Sequence, residues 1–244
     1  MILEICASNY QSAINAQVAG AHRIELCSEL AVGGLTPSYG LLKSVIEALT
    51  IPVHVLIRPK SGSFVYTEEE FEIMKMDIEL CKRLGCHGIV SGVLNDDRSI
   101  DVQRTKTLVA LSKPLNFTFH RAFDQTPNPF EALEQLIEID VDRILSSGQA
   151  QTAEKGIVVL NQLLKLATNR IAIMPGSGIN ALNCLVFKGA GFDEIHASAT
   201  YIETTSTPPN VPMNSPKLFD ETLSISSSQL EISAILKKIS GEQV

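Results

Sequence analysis

The sequence predicts an α/β protein of the (β/α)8, or TIM-barrel, class, as a single domain over residues 1–244. Three observations carry this reading. Eight short apolar runs alternate with helical patterns at intervals of roughly 20–35 residues, the length of a strand–helix repeat. Helix start and stop signals fall between the runs. Polar and titratable residues recur at the carboxyl ends of the runs, where α/β folds place their sites. Eight units in 244 residues favour a closed barrel over an open doubly wound sheet.

The elements follow in order. A first strand is expected near Ile2–Cys6 and a second near Arg23–Leu26, with Gly20 closing the helix between them. The third run lies near Val53–Ile57. Thr67-Glu68-Glu69-Glu70 then reads as a capping box and Gly85 as a helix stop. The fourth and fifth runs lie near Gly88–Ser91 and Asn116–Phe119. Asn128-Pro129 places a cap before proline at the first helical position, and Glu131 completes the signal. Sixth and seventh runs follow near Arg143–Leu145 and Ile171–Met174. The turn after the seventh is Gly-rich but lacks GxGxxG, which argues against a dinucleotide fold. Asn180 reads as the next cap and Gly189 as the helix end. The eighth run lies near Glu194–His196. Residues 201–228, rich in Ser, Thr and Pro without periodicity, read as a long irregular loop on the side of the site. Ser228 to Glu231 opens a closing amphipathic helix over 229–240, with Leu230, Ile232, Ile235, Leu236 and Ile239 as its apolar stripe.

Composition narrows the function classes. A net charge of −7 argues against a nucleic-acid or anionic-membrane partner. No run is long and apolar enough to span a bilayer. The chain opens on a strand interrupted by Glu4, without a basic segment before it, so a cytoplasmic location is expected. Five cysteines, an odd number without close CxxC spacing, do not suggest a disulfide framework or a zinc knuckle.

The richest stretch is Phe117-Thr118-Phe119-His120-Arg121-Ala122-Phe123-Asp124, an apolar run ending in a base and a fixed cation. Glu4, Glu25 and Arg58 end other runs. Together Glu4, Glu25, Arg58, His120 and Arg121 are the candidate catalytic residues, with Glu or His as acid or base. Arg58 and Arg121 suit an anion. Gly176, Gly178 and Ser198, after the seventh and eighth runs, are positioned to cradle it through backbone N–H groups. The competing reading makes these charges buried ion pairs that plug the barrel top, and the glycines a tight turn. Cys6 and Cys27 end neighbouring strands, about 4.8 Å apart, so both sulfurs could reach one soft ion such as Cu(I). Free cysteine also packs as a small hydrophobe, and that is the default for Cys81, Cys86 and Cys184. His22 and His87 read as capping or surface residues.

At this point the motifs become familiar. The chain resembles the copper homeostasis protein CutC family over nearly its whole length. The matching pieces are Leu3-Glu4-Ile5-Cys6, Arg23-Ile24-Glu25-Leu26-Cys27, Gly33-Gly34-Leu35-Thr36-Pro37-Ser38 and Ile57-Arg58-Pro59. They continue with Thr118 to Asp124, Ser147-Gly148, Met174-Pro175-Gly176 and the His196 strand end. The resemblance implies a (β/α)8 barrel, a cytoplasmic homo-oligomer (dimer or tetramer) and a role in copper homeostasis. It also implies Cu(I) ligation by Cys6 and Cys27. The chain departs from the family twice. Lys60-Ser61-Gly62-Ser63-Phe64 stands where many members carry an acidic residue before the Phe. Asn214-Ser215-Pro216-Lys217 follows Met213 where many carry an Arg-Asn pair.

Three functions therefore stand open: a copper-handling protein, a barrel enzyme acting on a small anionic or phosphorylated metabolite, and a non-catalytic binding protein. The expected partners are a copper ion or a small anionic ligand and further copies of the chain.

Overall fold

The computed structural model describes residues 1–204, 211, 220 and 222–241. Its strands are β1 (Ile2–Ala7), β2 (Arg23–Leu26), β3 (Val53–Leu56), β4 (Gly88–Ser91), β5 (Asn116–Phe119), β6 (Arg143–Ser146), β7 (Ala172–Pro175) and β8 (Glu194–Ala197). They pair in parallel in the order β7-β6-β5-β4-β3-β2-β1-β8. A single parallel bridge between Gly176 and His196 joins the two ends, so the sheet curls into a nearly closed (β/α)8 barrel.

The helices are α1 (Tyr10–Val18), α2 (Tyr39–Ala48), α3 (Glu68–Leu84), α4 (Val102–Ser112), α5 (Pro129–Glu138), α6 (Ile157–Ala167), α7 (Cys184–Ala190) and α8 (Gln229–Ser240). Their starts follow the expected chemistry. The Thr67 side chain accepts from Glu70 N–H while Glu70 reaches back to Thr67 N–H, and Gly85 closes α3 at φ +81°. Asn128 caps α5 ahead of Pro129, and Ser228 caps α8. Each cap satisfies donors that the first turn leaves unpaired, worth about 1 kcal/mol.

Three expectations are corrected. Gly189 lies inside α7, which ends at Gly191 with φ +91°. Gly20, by contrast, closes α1 as expected: it follows the cap residue Ala19 at φ +90°, with its N–H donating to Gln17 O and Ala21 N–H donating to Ala16 O. Asn180 does not cap α7. Its side chain accepts from Leu182 N–H in the turn before that helix. The largest correction falls on 201–228. Its described ends form an antiparallel ribbon, β9 (Thr200–Thr204) with β10 (Leu223–Ser227). Polar α1 side chains hold β10: Asn9 donates to Ile225 O, Asn15 donates to Ser227 O, and Ser227 N–H donates to Ser12 Oγ. The Met213–Lys217 departure lies outside the described residues.

Strand parity divides the buried residues into two compartments. Leu3, Ile5 and Ala7 pack outward under the helices in the main core, with Ile24, Val55, Phe117 and Ile195. Facing inward, Cys6, Cys27, Leu56 and Val90 form a separate small apolar cluster. The barrel interior is otherwise charged. Arg23, Glu4, Arg143 and Glu194, from the N-terminal and middle parts of β1, β2, β6 and β8, join in one buried ion network. A plug therefore exists, but it lies toward the strand starts and not at the barrel top. Two histidines at strand entries serve the sheet. His22 Nδ1 accepts Leu3 N–H and His87 Nδ1 accepts Val53 N–H.

Candidate active-site mouth and thiol pair

The carboxyl ends of the strands open into a cavity of about 760 Å³ lined by Cys6, Glu25, Arg58, His120, Arg121 and His196 among others. Gly178 and Ser198 also line it. Most of the residues selected from sequence thus converge on one mouth. Three stand back from it. Glu4, with no exposure, sits below the floor. Cys27 lies behind Cys6, their sulfurs 3.7 Å apart. Gly176 sits at the β7–β8 seam, where a Cβ would meet Leu145 Cδ1 at 2.5 Å and His196 Cβ at 3.3 Å. Its lack of a side chain serves barrel closure.

The floor is an electrostatic chain. Glu4 is the neighbour of both Arg23 and His196 in the strand registers. Its carboxylate bonds Arg23 Nε and, at 2.8 Å, His196 Nδ1. Burial opposes its charge, but Arg23, His196 and His54 outweigh that and hold its pKa well below the usual carboxylate range. Burial likewise opposes charge on His196, yet Cys6, Glu4 and Glu25 hold it well above the usual imidazole value. Glu25 lies 3.8 Å from His196 Nδ1, and its Oε2 is buried without a hydrogen bond. Burial, reinforced by the Glu4 charge, pushes Glu25 up to about 7. Glu4, Glu25 and His196 offer donor atoms within 4.8 Å of one another, but Glu4 and His196 already satisfy each other.

The thiols form the softer donor set. Cys6 is 6% exposed and Cys27 is fully buried. The hydrogen bond to Cys27, then burial, push the Cys6 thiol well up. The charged His196 ring beside Cys6 works the other way and lowers that thiol's pKa.

The opposite chemistry gathers around β3 and β5. Arg58 donates to Val32 O, Gly34 O and Gly62 O through its terminal nitrogens, so most of its guanidinium organises two loops and Nε is left over. Arg121 donates to Asp124 Oδ2 and Ser147 Oγ at the rim. Asp124 in turn accepts from Ser146 and Ser147. Sequence reading named His196 and Asp124 at their strand ends but gave neither a role. Closing the barrel in sequence would have revealed His196, because β8 must then lie beside β1 and Glu4.

Comparison with known proteins agrees with this architecture. The CutC family model matches residues 1–201. A CutC family protein of Parabacteroides distasonis is 44% identical over 241 residues, covering 96% of this chain and 99% of the relative. A copper homeostasis protein cutC homolog of Homo sapiens is 44% identical over 199 residues, covering 81% of this chain and 73% of the relative. A solved CutC structure from Streptococcus agalactiae superposes with a TM-score of 0.77 at 34% identity, covering 81% of this chain and 98% of that one. The chain belongs to the CutC family.

Proposed function

We propose that this protein handles copper in the cytoplasm and holds Cu(I) as cargo between Cys6 and Cys27. The observation that carries the reading is the 3.7 Å separation of two buried sulfurs beneath an open mouth. Thiolates are the preferred ligands of Cu(I), and the charged His196 ring beside Cys6 works to lower that thiol's pKa and so favours the thiolate. The relatives named for copper homeostasis support the same reading. Both thiols must lose their protons to ligate, so uptake releases protons and weakens as pH falls. Anaerobic titration of the reduced protein against a coloured Cu(I) chelator tests this. The parent should retain one Cu(I) per chain. Cys6→Ser/Cys27→Ser should lose affinity by more than the roughly 10–100-fold typical of a lost supporting contact. Equal retention by the variant would refute the site.

A second reading is favoured by the size and polarity of the mouth. A cavity of about 760 Å³ exceeds the needs of one ion and falls within the roughly 300–1,000 Å³ of small-molecule sites. A small anionic metabolite, bound or transformed there, fits that space and its cationic wall.

A further inference from the structure

Two buried side-chain nitrogens on one wall of the mouth have no hydrogen-bond partner. They are Arg58 Nε and His120 Nε2, on residues that are each 5% exposed. A buried unpaired donor costs about 1–3 kcal/mol, and buried polar groups are normally satisfied. The buried Tyr66 hydroxyl lies within reach of the Arg58 guanidinium but makes no well-formed hydrogen bond.

Both nitrogens are donors. His120 Nδ1 accepts Ala122 N–H at 3.3 Å, which leaves the proton of the neutral ring on Nε2. Burial and then Arg58 push the His120 pKa down to about 3, so the neutral ring persists at physiological pH. Arg58 spends its terminal nitrogens on the carbonyls of Val32, Gly34 and Gly62, and Nε–H is left over. The Phe64 ring covers both groups. Its centroid lies 4.8 Å from the His120 ring and 4.9 Å from the Arg58 guanidinium carbon. Phe64 itself is only half-buried, on a loop that turns through Gly62 at φ +86°.

We propose that this wall is an anion subsite for a small metabolite carrying a phosphate or carboxylate group. Arg58 Nε–H and His120 Nε2–H receive the anion's oxygens. Arg121 closes the rim, and Phe64 is the cover that swings aside on entry. The subsite rests on the metabolite reading of the mouth, but it uses neither thiol and requires no turnover. Absence of turnover with anion binding intact would therefore remove the enzyme and leave the subsite.

The probes are inorganic phosphate and malonate, titrated into the full chain with a copper chelator present. Binding is followed by calorimetry and by the His120 ring resonance in nitrogen-15 NMR. At least one anion is expected to bind with a Kd of about 1 mM or tighter and to shift the Nε2 resonance. A preference for phosphate assigns a tetrahedral group and a preference for malonate a carboxylate. Either supports the subsite. His120→Asn keeps an oxygen for Ala122 N–H and deletes the Nε2 donor. It should weaken binding tenfold or more, about 1.4 kcal/mol, with an unchanged unfolding midpoint at pH 8. Phe64→Ala should bind at least as tightly as the parent. The proposal is overturned if neither anion moves the His120 resonance, or if His120→Asn binds like the parent. Loss of binding in Phe64→Ala would overturn the cover.

Discussion

At the scale of single residues, His120 links burial to acid sensitivity. Its pKa near 3 in the folded chain compares with about 6.5 when unfolded. Between those values the unfolded chain binds the extra proton, so stability rises with pH across the window. The contribution is complete above about pH 6.5 and is lost at up to about 1.4 kcal/mol per pH unit as pH falls toward 3. His120→Asn carries no titrating ring. Urea-unfolding free energies of the variant, plotted from pH 6.5 to 4.5, should therefore show a slope flatter by about that amount. An unchanged slope would mean that the ring is not held neutral. His54, pushed by burial down to about 4, adds a parallel term that the variant retains. His120 and Arg121 were legible because an apolar run stops on them. His196 was not read as a site residue because its partner Glu4 lies 192 positions away. Arg58 was placed at the right strand end, but the carbonyls of Val32, Gly34 and Gly62 that occupy its terminal nitrogens belong to loops with no sequence signal for that contact.

At the scale of elements, the loop from β6 to α6 is held by a crossing of two glycines. A Cβ on Gly156 would stand 1.9 Å from Ser147 O and 2.9 Å from Gly148 Cα, and one on Gly148 would stand 2.3 Å from Gly156 O. These are backbone atoms, which cannot rotate away as a flexible side chain could. Gly156→Ala must push the Ser147–Gly148 segment outward, at a cost toward or beyond the upper end of the roughly 1–3 kcal/mol for overpacking. The same segment holds Asp124 and Arg121 at the rim, so the variant should show both a lower urea midpoint and a disturbed Asp124 environment by NMR. A wild-type midpoint would show that the loop has slack. The sequence marked Ser147-Gly148 as a motif but left Gly156 unread, because the requirement comes from a partner across the turn. The ribbon of β9 and β10 was missed for a related reason. It is exposed on β9 and secured by polar α1 side chains, so no apolar alternation announced it.

At the scale of the whole molecule, counting repeats was enough to expect a barrel, because each strand–helix unit carries its own local signals. The interior was not legible, because its charges are paired across the barrel from strands far apart in sequence. Arg23 bridges Glu4 and Glu194, while Arg143 bonds Glu194 through two nitrogens and Thr118 through a third. Burial works against charge on Glu194, but Arg143 and Arg23 keep its pKa lowered. With Glu4 also ionised, two arginines and two glutamates balance. Arg143→Met removes one cation and leaves Glu194 with Arg23 alone, at a cost of about 3–5 kcal/mol. Arg143→Met/Glu194→Met removes a matched pair, and Arg23 keeps Glu4. Replacing a whole buried pair by apolar residues is often nearly neutral, so the double variant should unfold at a higher urea concentration than Arg143→Met alone. A double variant whose loss equals the sum of the two single losses would show no coupling. In that case the plug would be a set of independent contacts, and the ionised Glu4 that holds His196 charged at the mouth would not depend on the rest of it.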